Sequence, residues 1–345
     1  MPASRIAEPG QAGDERGDEQ GTTRTAQPQR PTLAPMASPR MLLLDSASLY
    51  FRAFYGVPDQ RESADEPPTN AVRGFLDMIA TLVNAHRPTE LVACWDDDWR
   101  PQWRVDLIPT YKTHRLTEGS DVQEESPDDL TPQVPLIRDA LSALGIARLG
   151  APGFEADDVI GTLVARNKGR LPIDVVTGDR DLLQLVDDAA GVRVLYTGKG
   201  GVREPDIATE EYLQTRYAVP SGQAYLEMSI MRGDTSDGLP GVKGIGDKTA
   251  AALITEFGSL AALRQAVESG DPRLKGARRA NLEAATAYLD VAPTVVRVAP
   301  DAPVADVPTT LPTAVADARL LSELAMNYGL TNPINRVLAA IGLGA

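Results

Sequence analysis

The sequence predicts an α/β fold with a mostly parallel twisted sheet over residues 41–215. Short apolar runs typical of buried strands occur at 41–44 (MLLL), 91–95 (LVACW), 173–176 (IDVV) and 192–196 (VRVLY). Stretches whose apolar residues recur at helical spacing separate them, at 71–85, 134–145 and 155–167. Short strands alternating with longer helices are typical of parallel sheets built from crossover connections.

The rest of the chain divides by composition. Residues 1–40 lack apolar periodicity and are predicted to form a disordered tail. Residues 216–300 are helical in pattern and interrupted by glycines, and residues 301–345 contain a proline-rich link followed by a helical stretch. The stretch 99–132 is longer than an ordinary connection, so we expect it to be functional or mobile.

Composition excludes several classes of protein. With 43% hydrophobic and 24% charged residues, the chain is globular rather than collagen-like or wholly disordered. The single cysteine, Cys94, excludes an intrachain disulfide and a cysteine-rich zinc site. No apolar run approaches 18 residues, so we predict no membrane span and a cytoplasmic location. The net charge of −14 means that any basic surface for nucleic acid must be local.

Acidic residues follow the predicted strands or begin predicted helices. Asp45 and Asp96 each come directly after a strand, and the carboxyl ends of parallel strands form one crevice in an open sheet. Acidic residues in this crevice therefore become neighbours although they are distant in sequence. The full set is Asp45, Asp96, Glu155, Asp157, Asp158, Asp179, Asp181, Asp234 and Asp237.

So many carboxylates in one crevice require cations, because like charges raise one another's pKa. Oxygen ligands without cysteine or histidine favour Mg²⁺ or Mn²⁺ over zinc. Two such ions about 3.5–4 Å apart are the standard device for attack on a phosphodiester. For any single acid, capping or turn chemistry is an equally good explanation, but it explains the whole set poorly.

The segment GLPGVKGIGDKTAAALITEFGSL (238–260) predicts a helix, a tight glycine hairpin and a second helix. The backbone N–H groups of Gly244, Ile245 and Gly246 would face a nucleic-acid phosphate, and Lys243 and Lys248 add positive charge. The glycines do not follow a strand, which argues against a dinucleotide-binding loop. The alternative is a plain helical hairpin with a solvated basic face.

Basic and aromatic residues alternate in the first part of the stretch 99–132, in a pattern that suits phosphate binding with base stacking. They are Trp99, Arg100, Trp103, Arg104, Tyr111, Lys112 and Arg115. The same stretch carries acidic residues that would repel a nucleic-acid strand, including Asp121, Glu124 and Glu125.

Seven ordered motifs together resemble the 5′-3′ exonuclease and flap endonuclease family over about residues 41–300. They are MLLLDSASLYFRAFYG, PTNAVRGF, ACWDDDWRPQWR, YKTHR, GFEADDVIGTLV, VTGDRDLLQLV and MRGDTSDGLPGVKGIGDKTAAALI. The resemblance implies a PIN-like α/β domain, a helical arch at about 99–132 and a helix-three-turn-helix DNA-binding region at 216–300. It also implies two-metal hydrolysis of DNA at a 5′ end or 5′ flap, in replication or repair.

The resemblance assigns roles to individual residues. One metal site would use Asp45, Asp96, Glu155, Asp157 and Asp158, and the second Asp179, Asp181, Asp234 and Asp237, so that Asp45 and Asp181 are catalytic. Lys112 and Arg115 would contact the scissile phosphate. Arg104, Tyr111, Lys243, Gly244, Ile245, Gly246 and Lys248 would contact DNA, and the hairpin could hold K⁺.

The sequence departs from the family's pattern at three positions. Gly238 stands where the family usually has Asn, and Ser46 and Arg73 also depart from its pattern. A monomer that works with a DNA polymerase or ligase in trans is expected. Alternatives are a non-catalytic DNA-binding factor, a phosphatase that forms an aspartyl-phosphate, and cleavage of RNA by the same site.

Overall fold

The structure is a computed structural model that describes residues 39–63 and 65–344. The predicted disordered tail, residues 1–40, lies almost entirely outside this range. Among the described residues, no helix combines the length and the apolar character needed to cross a membrane.

One six-stranded sheet organises the described chain. Its strands are β1 (Met41–Asp45), β2 (Glu90–Cys94), β3 (Ala147–Leu149), β4 (Ile173–Thr177), β5 (Val192–Tyr196) and β6 (Asp206–Ala208). The spatial order is β3-β2-β1-β4-β5-β6, and every pair is parallel except β5 with β6. The prediction of a mostly parallel sheet is confirmed. Because β1 lies between β2 and β4, the crevice at its carboxyl end is shared by three strands.

The central strand β1 is apolar from Met41 to Leu44 because helices cover both faces of the sheet. Leu43 belongs to one buried apolar cluster, whereas Leu42 and Leu44 belong to a second. Neighbouring residues of a strand point to opposite faces, so the two clusters lie on the two sides of the sheet.

Thirteen α-helices occur in the described residues. They are α1 (Ser46–Gly56), α2 (Asn70–His86), α3 (Gln102–Leu107), α4 (Gln133–Leu144), α5 (Ala156–Asn167), α6 (Glu210–Tyr217), α7 (Gly222–Arg232), α8 (Asp247–Phe257), α9 (Leu260–Ser269), α10 (Gly276–Ala284), α11 (Thr286–Val296), α12 (Ala318–Asn327) and α13 (Thr331–Ala340). The three helices predicted between the strands are confirmed as α2, α4 and α5. Side chains of α5 pack in the first cluster, and those of α2 and α4 in the second.

The chain after α11 returns to the sheet. The Leu91 N–H donates to Thr309 O (2.8 Å), and the Leu311 N–H donates to Thr89 O (3.0 Å). Apolar side chains of α12 and α13 then complete the second cluster. The C-terminal segment is therefore part of the same folded body as the sheet.

Of the helical arch expected over 99–132, only α3 and a 3₁₀ turn at Thr113–Arg115 are helical. Leu116 and Glu124 form an antiparallel bridge, so the following residues make a small hairpin rather than a helix. Pro101, Pro109 and Pro127 interrupt the segment, and proline cannot continue a helix from within. The predicted arch is thus mostly irregular chain.

Candidate active site

A cavity of about 720 Å³ lies at the carboxyl ends of β1, β2 and β4. Eight of the nine predicted carboxylates line it: Asp45, Asp96, Glu155, Asp157, Asp179, Asp181, Asp234 and Asp237. Residues far apart in sequence meet here because the parallel strands end at one edge. The exception is Asp158, which does not line the cavity.

Backbone amides and a threonine hold the first carboxylates in place. Asp45 is the N-cap of α1: it accepts a hydrogen bond from the Ser48 N–H (3.1 Å), and Thr177 Oγ1 donates to it (2.6 Å). Asp96 accepts from the Ala156 N–H (2.8 Å) at the start of α5. The ends of β1 and β2 are thereby joined to the first residues of α1 and α5, and the carboxylates have fixed positions.

Asp158 forms a buried ion pair instead of facing the cavity. Arg104 Nη1 and Nη2 donate to its two oxygens (2.6 and 2.7 Å), and Asp158 is fully buried while Arg104 is 3% exposed. Asp158 also accepts from the Glu155 N–H (3.2 Å), closing a capping box. The prediction that Asp158 is a metal ligand is therefore wrong, because both of its carboxylate oxygens accept hydrogen bonds from the protein.

Two predicted DNA contacts are wrong for the same reason of burial. Arg104 donates to Val295 O (2.9 Å) as well as to Asp158, and it has no surface to offer a phosphate. Tyr111 is 5% exposed, and its hydroxyl donates to Glu155 Oε1 (2.7 Å). Both side chains instead donate hydrogen bonds to Glu155, which lines the cavity.

Lys112 and Arg115 reach the cavity, as predicted. The Lys112 ammonium pairs with Glu155, and Arg115 Nη2 pairs with Asp237 Oδ1 (2.6 Å). Each basic residue thus compensates one carboxylate of the set, and its predicted contact with the scissile phosphate stays a prediction.

Two further basic residues, which the sequence analysis did not identify, adjoin the cavity. Arg180 donates to Asp234 (2.7 Å), and Arg232 Nη2 lies 3.6 Å from Asp181 Oδ1. The signal was present in the sequence, because Arg180 lies between two acids in TGDRD and Arg232 stands two positions before Asp234 in RGDTSD.

Burial shifts the pKa of several cavity carboxylates. Burial and the nearby Asp96 raise the pKa of Asp45 to about 7, although hydrogen bonds from Thr177 and Ser48 oppose this. Burial, Asp179 and Asp237 raise the pKa of Asp181 to about 8. Burial, reinforced by the neighbouring carboxylates, therefore disfavours the ionised form of Asp45 and Asp181 when no cation is bound.

Asp234 shows the opposite shift. Burial alone would raise its pKa, but hydrogen bonds from Ser236 and Arg180 outweigh burial and lower it. This carboxylate stays ionised without any further cation.

The donor set suits divalent cations. Asp181 Oδ1 is buried and accepts no hydrogen bond from the described residues, although Arg232 Nη2 lies 3.6 Å away. The donors are all carboxylate oxygens, the type that Mg²⁺ and Mn²⁺ prefer. In the described part of the chain, however, no three acidic, histidine or cysteine side chains converge on one point able to hold an ion.

The glycine hairpin lies between α7 and α8. Gly244 has φ +73° and is exposed, and Gly246 is the exposed N-cap of α8. Asn281 Nδ2 supports the turn by donating to Lys243 O (2.9 Å). These features fit the predicted contact with a phosphate.

Ile245 is the exception within the hairpin. Its N–H donates to Val242 O (3.0 Å) and its side chain is buried, so the prediction that this amide faces a phosphate is wrong. Lys243 and Lys248 are exposed on either side of the turn.

Two family models match consecutive parts of the chain. Residues 40–218 match the 5′-3′ exonuclease N-terminal resolvase-like domain, and residues 221–319 match the 5′-3′ exonuclease C-terminal SAM fold. The chain belongs to the 5′-3′ exonuclease family. This membership confirms the family resemblance and the prediction of a nuclease.

Curated relatives of similar length share the family. A 5′-3′ exonuclease of Streptomyces coelicolor is 55% identical over 304 residues, covering 87% of this chain and 99% of the relative. A 5′-3′ exonuclease of Mycobacterium tuberculosis is 48% identical over 316 residues, covering 89% and 98%.

A solved structure shares the fold at low identity. The flap endonuclease of bacteriophage T5, in a complex with DNA and metal ions, is 16% identical, with a TM-score of 0.57 over 88% of this chain and 99% of that chain. The likeness supports the PIN-like sheet followed by a helical region.

Proposed function

We propose that this 5′-3′ exonuclease family member hydrolyses DNA phosphodiesters at a free 5′ end or at the base of a 5′ flap, leaving 5′-phosphate and 3′-hydroxyl ends. The observation that carries the proposal is the convergence of eight carboxylates in one cavity at the ends of β1, β2 and β4. An exposed glycine hairpin that fits a duplex backbone is part of the same folded body. The printed description of the T5 protein, a flap endonuclease with DNA and metal ions, supports the same substrate class.

The proposed metals are two Mg²⁺ or Mn²⁺ ions, held by the two groups of carboxylates around Asp45 and Asp181. When bound, such ions activate water and neutralise the leaving oxygen. The chain's own contribution is positioning and charge. Lys112 and Arg115 would release Glu155 and Asp237 and donate to the non-bridging oxygens of the scissile phosphate, where negative charge develops.

Four finer proposals accompany this function. K⁺ binds at the hairpin around Gly244, beside a duplex phosphate. The protein acts as a monomer in the cytoplasm. It works on intermediates that a DNA polymerase creates and a ligase seals. DNA rather than RNA is the proposed substrate, and a flap of ribonucleotides tests this choice.

The test is cleavage of a labelled 5′-flap duplex across a Mg²⁺ and Mn²⁺ titration, with the product ends mapped. Asp45→Asn and Asp181→Asn remove carboxylate ligands without adding bulk, and each should lower turnover by about a hundredfold or more. Flap binding in Ca²⁺ should persist in both variants. Asp187→Asn is the control, because Asp187 pairs with the distant surface residue Lys168. Full activity of Asp181→Asn contradicts the proposed function.

A further inference from the structure

We propose that Arg232 is a positioning residue that couples the glycine hairpin to the cavity: a duplex phosphate at the hairpin draws its guanidinium towards α8 and leaves Asp181 free to hold a divalent ion. The inference rests on the proposed function, since it uses both the duplex contact and the ions. Through this one side chain, duplex binding and ion binding strengthen each other.

The guanidinium of Arg232 lies between acids of the two regions. Arg232 is the last residue of α7, and its side chain is 9% exposed. Its Nη1 donates to Asp247 Oδ1 (3.3 Å), and its Nη2 lies 3.6 Å from Asp181 Oδ1. Asp247 is the first residue of α8, directly after the hairpin, whereas Asp181 lines the cavity. One side chain therefore bridges the hairpin and the cavity.

The contacts of Arg232 with these acids are longer than those of a full ion pair. Charge-assisted hydrogen bonds from nitrogen to a carboxylate are usually about 2.7–2.9 Å long. The neighbouring Arg180 makes such a bond to Asp234 (2.7 Å), whereas Arg232 Nη2 lies 3.9 Å from the same oxygen. Arg232 Nη2 and Asp181 Oδ1 are both buried without a hydrogen-bond partner among the described residues. Arg232 is thus shared between its acids, and a change of charge on either side can move it.

The body of α7 restricts this movement to the end of the side chain. Arg232 Nε donates to Gly233 O (3.1 Å). Tyr225 lies about two turns earlier on the same face of α7 and is fully buried. Burial raises the pKa of Tyr225, and the positive charge of the adjacent Arg232 opposes this effect. Only the terminal nitrogens of Arg232 are therefore free to change partner.

The charges decide the sign of the coupling. Asp247 is 53% exposed, at a helix start that we propose to face a duplex phosphate. A phosphate there adds negative charge beside Asp247 and attracts the guanidinium of Arg232 towards the hairpin. The guanidinium is repelled in the same direction by a divalent ion held on Asp181. Binding at either place therefore favours binding at the other, by the same factor.

The first test is calorimetric titration with Mn²⁺ in the absence of DNA. Arg232→Met keeps the apolar part of the side chain and removes the competing charge, so the weaker ion should bind at least about fivefold more tightly. Asp247→Asn removes the acid on the hairpin side, so Arg232 turns to Asp181 and the same ion should bind about threefold more weakly. Unchanged or weaker ion binding by Arg232→Met overturns the inference, because an arginine that only supports the acids would give that result.

Two variants control for the change in total charge. Arg319→Met removes a positive charge that pairs with Glu323 within α12, and Glu256→Gln removes a negative charge of α8 that pairs with Arg273. Both should bind Mn²⁺ as the wild type does. A shift in either control equal to that of its matched variant also overturns the inference.

The second test measures the affinity for a labelled 5′-flap duplex by fluorescence anisotropy, in EDTA and in Ca²⁺. Ca²⁺ should tighten duplex binding by the wild type, and this gain should shrink by at least about threefold in Arg232→Met and in Asp247→Asn. Asp247 is an exposed residue, so its variant tests the coupling even if Arg232→Met folds poorly. An undiminished gain in Asp247→Asn overturns the inference alone, whereas a wild type that binds no Mn²⁺ contradicts the proposed function as well.

Discussion

Asp158→Asn distinguishes a structural carboxylate from a metal ligand. The side chain is fully buried and accepts four donors, two from Arg104, one from the Ala299 N–H (2.8 Å) and one from the Glu155 N–H (3.2 Å). Asparagine keeps the shape but leaves the buried guanidinium with only the more distant Glu155 carboxylate (3.4 Å) as a counter-charge. Removing one partner of a buried ion pair costs about 3–5 kcal/mol. At about 2–4 °C per kcal/mol, the Tm should fall by about 6–20 °C.

Two measurements on the same variant test this reasoning. Thermal unfolding in EDTA reports the loss of stability, and calorimetric titration with Mn²⁺ reports the number of bound ions. Asp158→Asn should bind as many ions as the wild type, whereas Asp181→Asn should lose one. Asp187→Asn is the stability control, because its partner Lys168 is 54% exposed and such pairs contribute less than about 1 kcal/mol. A stable Asp158→Asn protein that binds one ion fewer would refute the structural role.

Three further outcomes are expected. Because the pKa values of Asp45 and Asp181 rise from 3.8 to about 7 and about 8, the metal-free folded state binds more protons than the unfolded chain between about pH 4 and 8. Its Tm in EDTA should fall across that range, and Mg²⁺ should restore it most at the alkaline end; a flat profile contradicts the assigned shifts. Lys243→Gln and Lys248→Gln should each weaken duplex binding and reduce the salt slope by about one, measured by fluorescence anisotropy. Tyr111→Phe should slow flap cleavage and leave duplex affinity unchanged; weaker duplex binding by this variant would restore a DNA contact.

The sheet was predictable because its central strands are covered on both faces. β1 is apolar up to its last residue, Asp45, and β4 is apolar apart from Asp174 and Thr177, so both could be recognised without alternation. The three-residue strands β3 and β6 were not predicted, since each has exposed residues and too few positions to show a pattern. Tertiary pairing rather than local preference makes them strands.

The acidic cavity was predictable from the strand ends, but which of the acidic residues face into it was not. Asp157 and Asp158 are adjacent in one motif, yet successive helix residues point about 100° apart. Asp157 lines the cavity, whereas Asp158 faces Arg104. Which of two neighbouring acids faces inward depends on the partner that a distant segment supplies, and the spacing of one motif carries no information about it.

Residues 99–132 show a similar limit. Basic and aromatic side chains indicated nucleic-acid contact, but Arg104 and Tyr111 are used to bury and orient Glu155. Composition reports what a segment could bind, and only packing decides whether its side chains are available.

The return of the chain to the sheet after α11 matters for anyone who trims this protein. Deleting residues beyond 300 would leave the amide of Leu91 without its acceptor and uncover the apolar side of α2 that Leu330, Ile334 and Val337 now shield. The carboxylates and the hairpin would all remain, yet the shortened polypeptide would expose an apolar surface and aggregate before its activity could be assayed. A minimal nuclease must therefore keep the C-terminal segment after α11.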